Sequence, residues 1–312
     1  MSGTVPSHAK SVSFSAYGDA DVLGLAEAPV PEPGPGQVLV RVRAAGVNPV
    51  DWKIRRGYMA EVFPVVFPHV PGLEASGTVA ATGADVTAWK AGDEVFGPIA
   101  AGYAEYALAD AAKLAAKPAD LDWEAAAAVP VAAEAATRAL GILSPVPGET
   151  VLIHAAAGAA GSLAVQLAVA NGVTVIGTAS EANHDFLRSL GATPVTYGEG
   201  LFDRVRAAAP QGVDAVLDAA GSGVLAESVE LVGGPDRVVS IVNPAEAGPL
   251  GVRFTGGGDA DRTVEALTAA LALHRAGSLS VPIRAALPLA DAASAHRLSE
   301  QGHGVGKIVL LP

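Results

Sequence analysis

The alternation of apolar and polar positions changes character near Trp123. Before that point the apolar runs are short and bounded by turn residues. Val38 to Ala44, VLVRVRA, alternates as a half-buried strand does. Glu74 to Ala80 is small and β-tolerant, and Glu94 to Phe96 resumes a strand after a turn at Ala91–Gly92–Asp93. Pro31, Pro33 and Pro35 punctuate an exposed connection. The first 125 residues therefore predict a mostly β region. Beyond Trp123 an Ala-rich stretch to residue 140 predicts helix, with a break at Pro130.

Regular alternation follows. Val151 to His154 predicts a strand, Gly161 to Asn171 a helix, Val173 to Gly177 a strand and Glu181 to Leu190 a helix. Val213 to Asp218 and Arg237 to Val242 predict further strands, and Thr263 to Ala276 a long helix. Buried strands alternating with helices imply an α/β, doubly wound parallel sheet. Pro288 to Gln301 predicts another helix with loop at its start, and Gly306 to Leu311 a last strand that is too short to be a domain. Its expected place is back in the first domain.

Length adds the domain count: 312 residues suit two domains. The expected division is 1–125 completed by 283–312, with 126–282 inserted. The charge, −12 from 32 acids and 20 bases, makes a broad acidic field that repels nucleic acid and anionic lipid, or simply aids solvation. No apolar run reaches the roughly 18 residues of a membrane span. The N-terminal MSGTVPSHAKS has no apolar segment of the signal-peptide kind, so a cytoplasmic protein without membrane or nucleic-acid partners is expected. The absence of cysteine removes disulfides, thiolate nucleophiles and thiolate metal sites.

The chemistry concentrates in Val151 to Ser180, which has strand, small-residue turn, helix and strand in that order. Gly158 and Gly161 allow the turn to approach a pyrophosphate and the helix to sit close to the sheet. Ala155 stands where the usual fingerprint has its first Gly, and Ala159 and Ala160 complete the turn. The helix N-terminus offers free N–H groups to phosphate. A merely compact turn is the alternative. Dinucleotide sites that choose NAD place an acid at the end of the second strand. Here Thr178 and Ser180 stand there, with Asn183 and His184 nearby, which favours NADPH (NADP+). Against it, no Arg or Lys occurs before Arg188, and Glu181 is close. Asp218, Ala219 and Ala220 follow a strand and are candidates for the same ligand edge, although Gly221 and Gly223 there also fit a plain turn.

None of the seven histidines, His303 among them, has the spacing of a helical zinc motif. His69 and Glu74 bracket the loop PHVPGLE without a third ligand, so no metal is expected, and Glu74 is read as satisfying backbone donors or a nearby base. Lys53 and Asn48 are the catalytic candidates. An ammonium beside the nicotinamide stabilises charge developing on a substrate oxygen, and Asn48 orients the ring or the substrate. A solvated surface lysine is the alternative for Lys53. Asp51 is expected to pair with Arg55 or Arg56. Trp52, Tyr58, Phe63 and Phe67 serve as pocket wall or as packing.

Taken together, GVNPVDWKIRRG (46–57), PHVPGLEASGTV (68–79), GDEVFG (92–97), GYAEYALA (102–109) and GKIVL (306–310) resemble the zinc-independent quinone oxidoreductase and enone reductase branch of the medium-chain dehydrogenase/reductase superfamily. The resemblance implies a groES-like catalytic domain plus a Rossmann-type domain, with the nicotinamide in a cleft between them. It places Asn48 and Lys53 at the nicotinamide end, Thr137 at the domain junction, and Ala155, Gly158 and Gly161 on the pyrophosphate. It sets Thr178 and Ser180 near the adenosine phosphate, Val242 and Phe254 on the cofactor wall, and Lys307 near the cleft. It also implies a homodimer that passes hydride from NADPH to a quinone. The alternatives are an enone or enoyl C=C reductase and a non-catalytic NADPH-binding sensor. Metal-dependent relatives carry a cysteine within the stretch matching Gly46 to Asn48, and this chain does not. Bacterial quinone reductases have Tyr where Lys53 stands, and the basic residue usual after the serine matching Ser180 is missing.

Overall fold

The computed structural model describes residues 4–256, 261–302 and 304–312. His303 lies outside them. The chain forms two compact units, Met1–Val131 with Val281–His303 and Lys307–Pro312, and Ala132–Ser280 with Gly304–Gly306.

The first unit opens with an antiparallel pair, β1 (His8–Ser13) and β2 (Gly24–Pro29). β3 (Gln37–Val47) is longer than the alternating run predicts, because its apolar pattern continues through the small residues Ala45 and Gly46. Helix α1 (Pro49–Arg55) then interrupts the strands. The sequence reading treated this segment only as a motif. Its helical signals are an Asn at the N-cap, Pro at the first helical position and Asp three residues after the cap. Strands β4 (Glu74–Thr82), β5 (Glu94–Pro98), β6 (Tyr106–Asp110) and β7 (Ala115–Ala116) follow. Pro130 divides the Ala-rich stretch into α2 (Trp123–Ala127) and α3 (Pro130–Leu143).

The first unit extends past residue 125 for a physical reason. Ala126 to Val129 are fully buried, and α2 packs on β3 and β4. The Ser76 hydroxyl donates to Trp123 O at 2.6 Å, and the Val131 N–H donates to Glu74 Oε2 at 2.8 Å.

The second unit alternates β8 (Thr150–His154), α4 (Ala159–Ala170), β9 (Thr174–Ala179), α5 (His184–Ser189), β10 (Thr193–Thr196) and α6 (Leu201–Ala208). It continues with β11 (Ala215–Asp218), α7 (Leu225–Val232), β12 (Val238–Ser240), α8 (Pro244–Ala247), β13 (Arg253–Phe254) and α9 (Thr263–Arg275). The six strands are all parallel, in the order β10-β9-β8-β11-β12-β13. That is the dinucleotide-binding order, whose direction of growth reverses between β8 and β11. Every residue of β8 is buried, as a central parallel strand requires. Strand β9 runs to Ala179, so Thr178 lies within it, and Val242 lies beyond the end of β12.

The chain then returns through β14 (Ile283–Pro288), α10 (Ala292–Glu300) and β15 (Lys307–Leu311). Pro288 ends β14 and a short turn over Leu289–Asp291 leads into α10, in keeping with a loop at the start of the 288–301 segment. The first unit's large sheet has the order β14-β15-β3-β4-β5-β7, with β6 also on β3. β15 pairs antiparallel with β3, Ile308 opposite Val47 and Leu310 opposite Ala45. This register brings Lys307 level with the residue after β3, Asn48. Among the described residues no helix is long and apolar enough to cross a membrane.

Candidate active site

The turn between β8 and α4 is built from small residues for steric reasons. A Cβ on Gly161 would lie 2.3 Å from Ala155 O and 2.9 Å from Ala156 Cα, closer than any side chain tolerates. On Gly158 it would lie 3.2 Å from Ala155 O. Ala155 itself has φ +52°, the left-handed region, which costs an L-residue roughly 1–2 kcal/mol. Thr178 holds it there: its Oγ1 accepts from the Ala155 N–H at 3.1 Å, and its carbonyl accepts from the Ala156 N–H at 3.0 Å. Thr178 is only 2 % exposed and braces the turn from β9. The first bond into α4 runs from the Ser162 N–H to Gly158 O. The N–H groups of Ala159, Ala160 and Gly161 therefore precede the helical ladder, and no side chain caps them. The Thr137 hydroxyl on α3 is buried and has no hydrogen-bond partner. A bare amide cradle and an unspent hydroxyl fit a dinucleotide.

Asp218 departs from its expected role. It is fully buried, and Oδ1 accepts from the N–H groups of Ala220 and Gly221 at 2.9 and 3.0 Å. Oδ2 accepts from the Ser240 hydroxyl at 2.8 Å. Its carboxylate thus shapes the loop containing Ala219 and Ala220 and does not project from it. Val242 packs toward Gly221, while Phe254 on edge strand β13 is 38 % exposed. Beside Asp218, His154 meets Ser228 Oγ at 3.1 Å. The Ser228 hydroxyl donates to Val224 O, so His154 Nε2 is the donor. Burial pushes this imidazole down to about 4, against the opposing pull of Asp218.

At the end of β9, Ser180 is partly exposed and Ala179 pairs with Thr196 of β10. His184 Nε2 lies 3.3 Å from Thr196 Oγ1. Arg204 of α6 reaches the same place, donating to Thr196 O from Nε at 3.1 Å and Nη2 at 2.8 Å. The sequence reading found no base near Ser180. Arg204, 24 positions after Ser180, is held at the end of the neighbouring strand β10 by the carbonyls of Thr196, Tyr197, Gly198 and Glu199, a placement that only β9–β10 adjacency could reveal.

In the first unit, Asn48, Glu74 and Lys307 form a buried triad. Asn48 Nδ2 donates to Glu74 Oε1 at 2.8 Å, and Lys307 Nζ donates to Asn48 Oδ1 at 2.6 Å and to Glu74 Oε1. Glu74 Oε2 takes the Val131 N–H, so the carboxylate serves both a base and a backbone donor, as read from sequence. Both Asn48 and Lys307 spend their polar atoms here. A Cβ on Gly46 would fall 2.3 Å from Glu74 Oε1, so the glycine makes room for the pair.

Next to the triad, Asp51 does not pair with Arg55 or Arg56. Its Oδ2 accepts from the Asn48 N–H at 2.7 Å and from the Tyr103 hydroxyl at 3.2 Å. His296 Nε2 of α10 lies 3.1 Å from that hydroxyl. The two arginines instead grip Glu300: Arg55 through Nη2, and Arg56 at 2.7 Å. Burial drives Asp51 up to about 7, opposed by the Asn48 N–H and Lys307, and drives His296 down to about 3. Burial and the nearby Asp51 push the Tyr103 phenol well above its ordinary value.

Lys53 stands apart from both clusters. It is partly exposed near the end of α1, its Nζ 5.8 Å from the centroid of the Trp52 ring, and Trp52 meets Tyr58 edge to face at 6.2 Å. The neighbouring segment leaves Val62, Phe63, Val66 and Phe67 exposed. Among the described residues no group of three or more His, Asp or Glu side chains comes together as a metal site would require.

Residues 34–121 match the alcohol dehydrogenase GroES-like domain family, and residues 190–310 match the zinc-binding dehydrogenase family. The chain is 32% identical to the quinone oxidoreductase of Lama guanicoe over 97% of each chain. It is 33% identical to the chloroplastic NADPH-dependent alkenal/one oxidoreductase of Arabidopsis thaliana, over 99% of this chain and 81% of that one. The solved quinone oxidoreductase from Coxiella burnetii superposes with a TM-score of 0.86 at 33% identity, covering 98% of this chain and 99% of the other. The chain belongs to the quinone oxidoreductase and enone reductase branch of the medium-chain dehydrogenase/reductase superfamily and is an oxidoreductase.

Proposed function

We propose that this oxidoreductase reduces a quinone, with NADPH as its cofactor. The observation that carries the reading is the β8–α4 turn, where Gly161 cannot bear a side chain and three helix-start N–H groups precede the ladder. NADPH, when bound, supplies the hydride. The chain's own residues hold and orient. The amides of Ala159, Ala160 and Gly161 take the pyrophosphate, and Thr137 offers its unspent hydroxyl. Ser180 and His184 offer donors, and Arg204 its positive charge, to an adenosine phosphate, with no acid in the place of a ribose acceptor. Lys53 holds the negative charge that grows on the electrophile's oxygen, with Trp52 and Tyr58 beside it as flat apolar surface for a ring. Asn48, fixed by Glu74 and Lys307, is the other candidate at that end. The resemblance also supports a cytoplasmic homodimer, which light scattering and cell fractionation test.

Turnover of NADPH and NADH is followed at the reduced-cofactor absorbance, with chelator present, against a benzoquinone, a simple enone and a saturated aldehyde. Quinone reduction with NADPH preferred is the expected outcome. Reduction of the enone C=C bond would favour the second reading, which the likeness to the Arabidopsis alkenal/one oxidoreductase supports. NADPH binding with no turnover would favour a sensor. Lys53→Met is expected to lower kcat by about 10- to 100-fold, the ~1.5–3 kcal/mol of one charged hydrogen bond. Unchanged turnover and cofactor affinity would remove Lys53 from the mechanism.

A further inference from the structure

The functional reading leaves Asp51, Tyr103 and His296 unused, although all three are buried and joined in one chain. Asp51 is 2 % exposed, and Tyr103 and His296 are not exposed at all. They come from three places in the first unit: α1, the segment between β5 and β6, and α10. Buried polar chains of this kind are costly unless each bond finds its partner.

The donors can be assigned. A phenol has one proton, and Asp51 Oδ2 already accepts the Asn48 N–H at 2.7 Å. With Asp51 ionised, the Tyr103 proton points at Oδ2, 3.2 Å away. The Tyr103 oxygen then accepts from His296 Nε2–H at 3.1 Å, leaving Nδ1 as the bare nitrogen. Nδ1 is buried without a partner, so only the Nε2 side of the ring is held. Two donors converge on one carboxylate oxygen, and one of them is the backbone of Asn48.

The charges around Asp51 can be counted. On its own helix, Arg55 bonds Glu300, a carboxylate it shares with Arg56. From β4 comes Glu74, from β15 comes Lys307, and these two pair with each other. From the β5–β6 segment and α10 come Tyr103 and His296, both neutral at physiological pH. The triad's charges are paired without Asp51, and no cation bonds to the Asp51 carboxylate directly, so burial favours its neutral form against the pull of Lys307. When it takes a proton, the bond that closes the start of α1 loses its charge assistance. α1 has only seven residues, so that bond is a large part of what fixes its first turn and Asn48.

We infer that Tyr103 and His296 are positioning residues for Asn48, acting through the Asp51 carboxylate that ties down the start of α1, and that the proton on this chain sets the pH range in which the enzyme turns over. The inference rests on the functional reading for the word turnover, but the titration of Asp51 does not. Ionised Asp51 is the productive state, so kcat/KM falls as pH drops below neutral. Tyr103→Phe removes one hydrogen bond from the ionised form and moves the break to higher pH. Asp51→Asn, which is isosteric, abolishes the break.

The test follows kcat and KM for benzoquinone from pH 5.5 to 9 at saturating NADPH in wild type, Tyr103→Phe and Asp51→Asn. In parallel, the Asp51 carboxyl carbon is followed by 13C NMR in wild type and Tyr103→Phe. A coincident upward shift of the kinetic break and of the NMR midpoint in Tyr103→Phe supports the inference. An unmoved NMR midpoint, or a kinetic break that survives Asp51→Asn, overturns it. A wild type that reduces no acceptor would sink the functional reading, and the NMR shift would still decide whether Tyr103 controls Asp51. Should Tyr103→Phe fail to fold, the Asp51→Asn profile decides alone.

Discussion

The two units handle charge in opposite ways. At the carboxyl edge of the parallel sheet, the β8–α4 turn, residues 155–158, carries no ionisable side chain. It offers backbone amides, and the Asp218 carboxylate at the end of β11 is spent on loop N–H groups and Ser240. In the β-rich unit acidic and basic side chains are paired: buried Glu74 with buried Lys307, and buried Arg55 with the partly exposed Glu300. One region is shaped by what side chains are absent, the other by how present charges are paired. Removing a charge should therefore matter most in the first unit, and adding a methyl group should matter most in the second.

The largest effect is expected from Lys307→Met. It strands the Glu74 carboxylate, which is not exposed, and breaking a buried pair from one side costs ~3–5 kcal/mol. Urea denaturation should show that loss. Adding Glu74→Gln in the same chain should cost less than the sum of the two single changes, since no stranded charge remains. Additive costs would mean that the two side chains do not act as a pair.

The same contrast explains what was legible in the sequence. The β8–α4 turn follows from local pattern: small residues between a buried strand and a helix, in a unit of fixed order. Parallel strands β8, β9, β11 and β12 were visible as apolar runs, with ends misplaced by up to two residues where Thr178, Ala179 and Val242 continue or outrun the hydrogen-bonded ladder. Helix α6 was missed because Gly198 and Gly200 make its approach look like loop, and with it went Arg204. The buried chain was illegible for a different reason. Tyr103 lies 52 positions from Asp51, and His296 lies 193 from Tyr103. Asp51 has Arg55 four residues away, the spacing of a helical ion pair, yet the arginine goes to Glu300, 245 positions distant. Local spacing offers a partner, and tertiary packing chooses another.

The next effect sharpens the other side of the comparison. Gly161→Ala puts a methyl group against backbone at Ala155 O, which cannot rotate away. Overpacking of this kind costs ~1–3 kcal/mol. The cost falls on the turn, so NADPH affinity, read by fluorescence titration, should weaken by roughly 10- to 100-fold. The triad of the other unit should be untouched, and the pH profile of whatever activity remains should keep its break. A Gly161→Ala protein that bound NADPH normally would show that the amides of α4 do not hold the cofactor.

The smallest effect has the opposite sign. Ala155 sits at φ +52° in the place where glycine would be at ease. Ala155→Gly relieves roughly 1–2 kcal/mol of left-handed strain but returns about 0.5–1 kcal/mol through the freer unfolded chain. The net is a gain of about 0.5–1 kcal/mol, provided the Thr178 bonds to the turn persist. Those bonds run from backbone N–H groups, which glycine keeps, so nothing in the bracing needs the methyl group. A small rise in the urea midpoint with unchanged m-value would fit. A fall would mean that the alanine methyl packs usefully in the turn, and that the small-residue cradle is shaped by contact as well as by clearance.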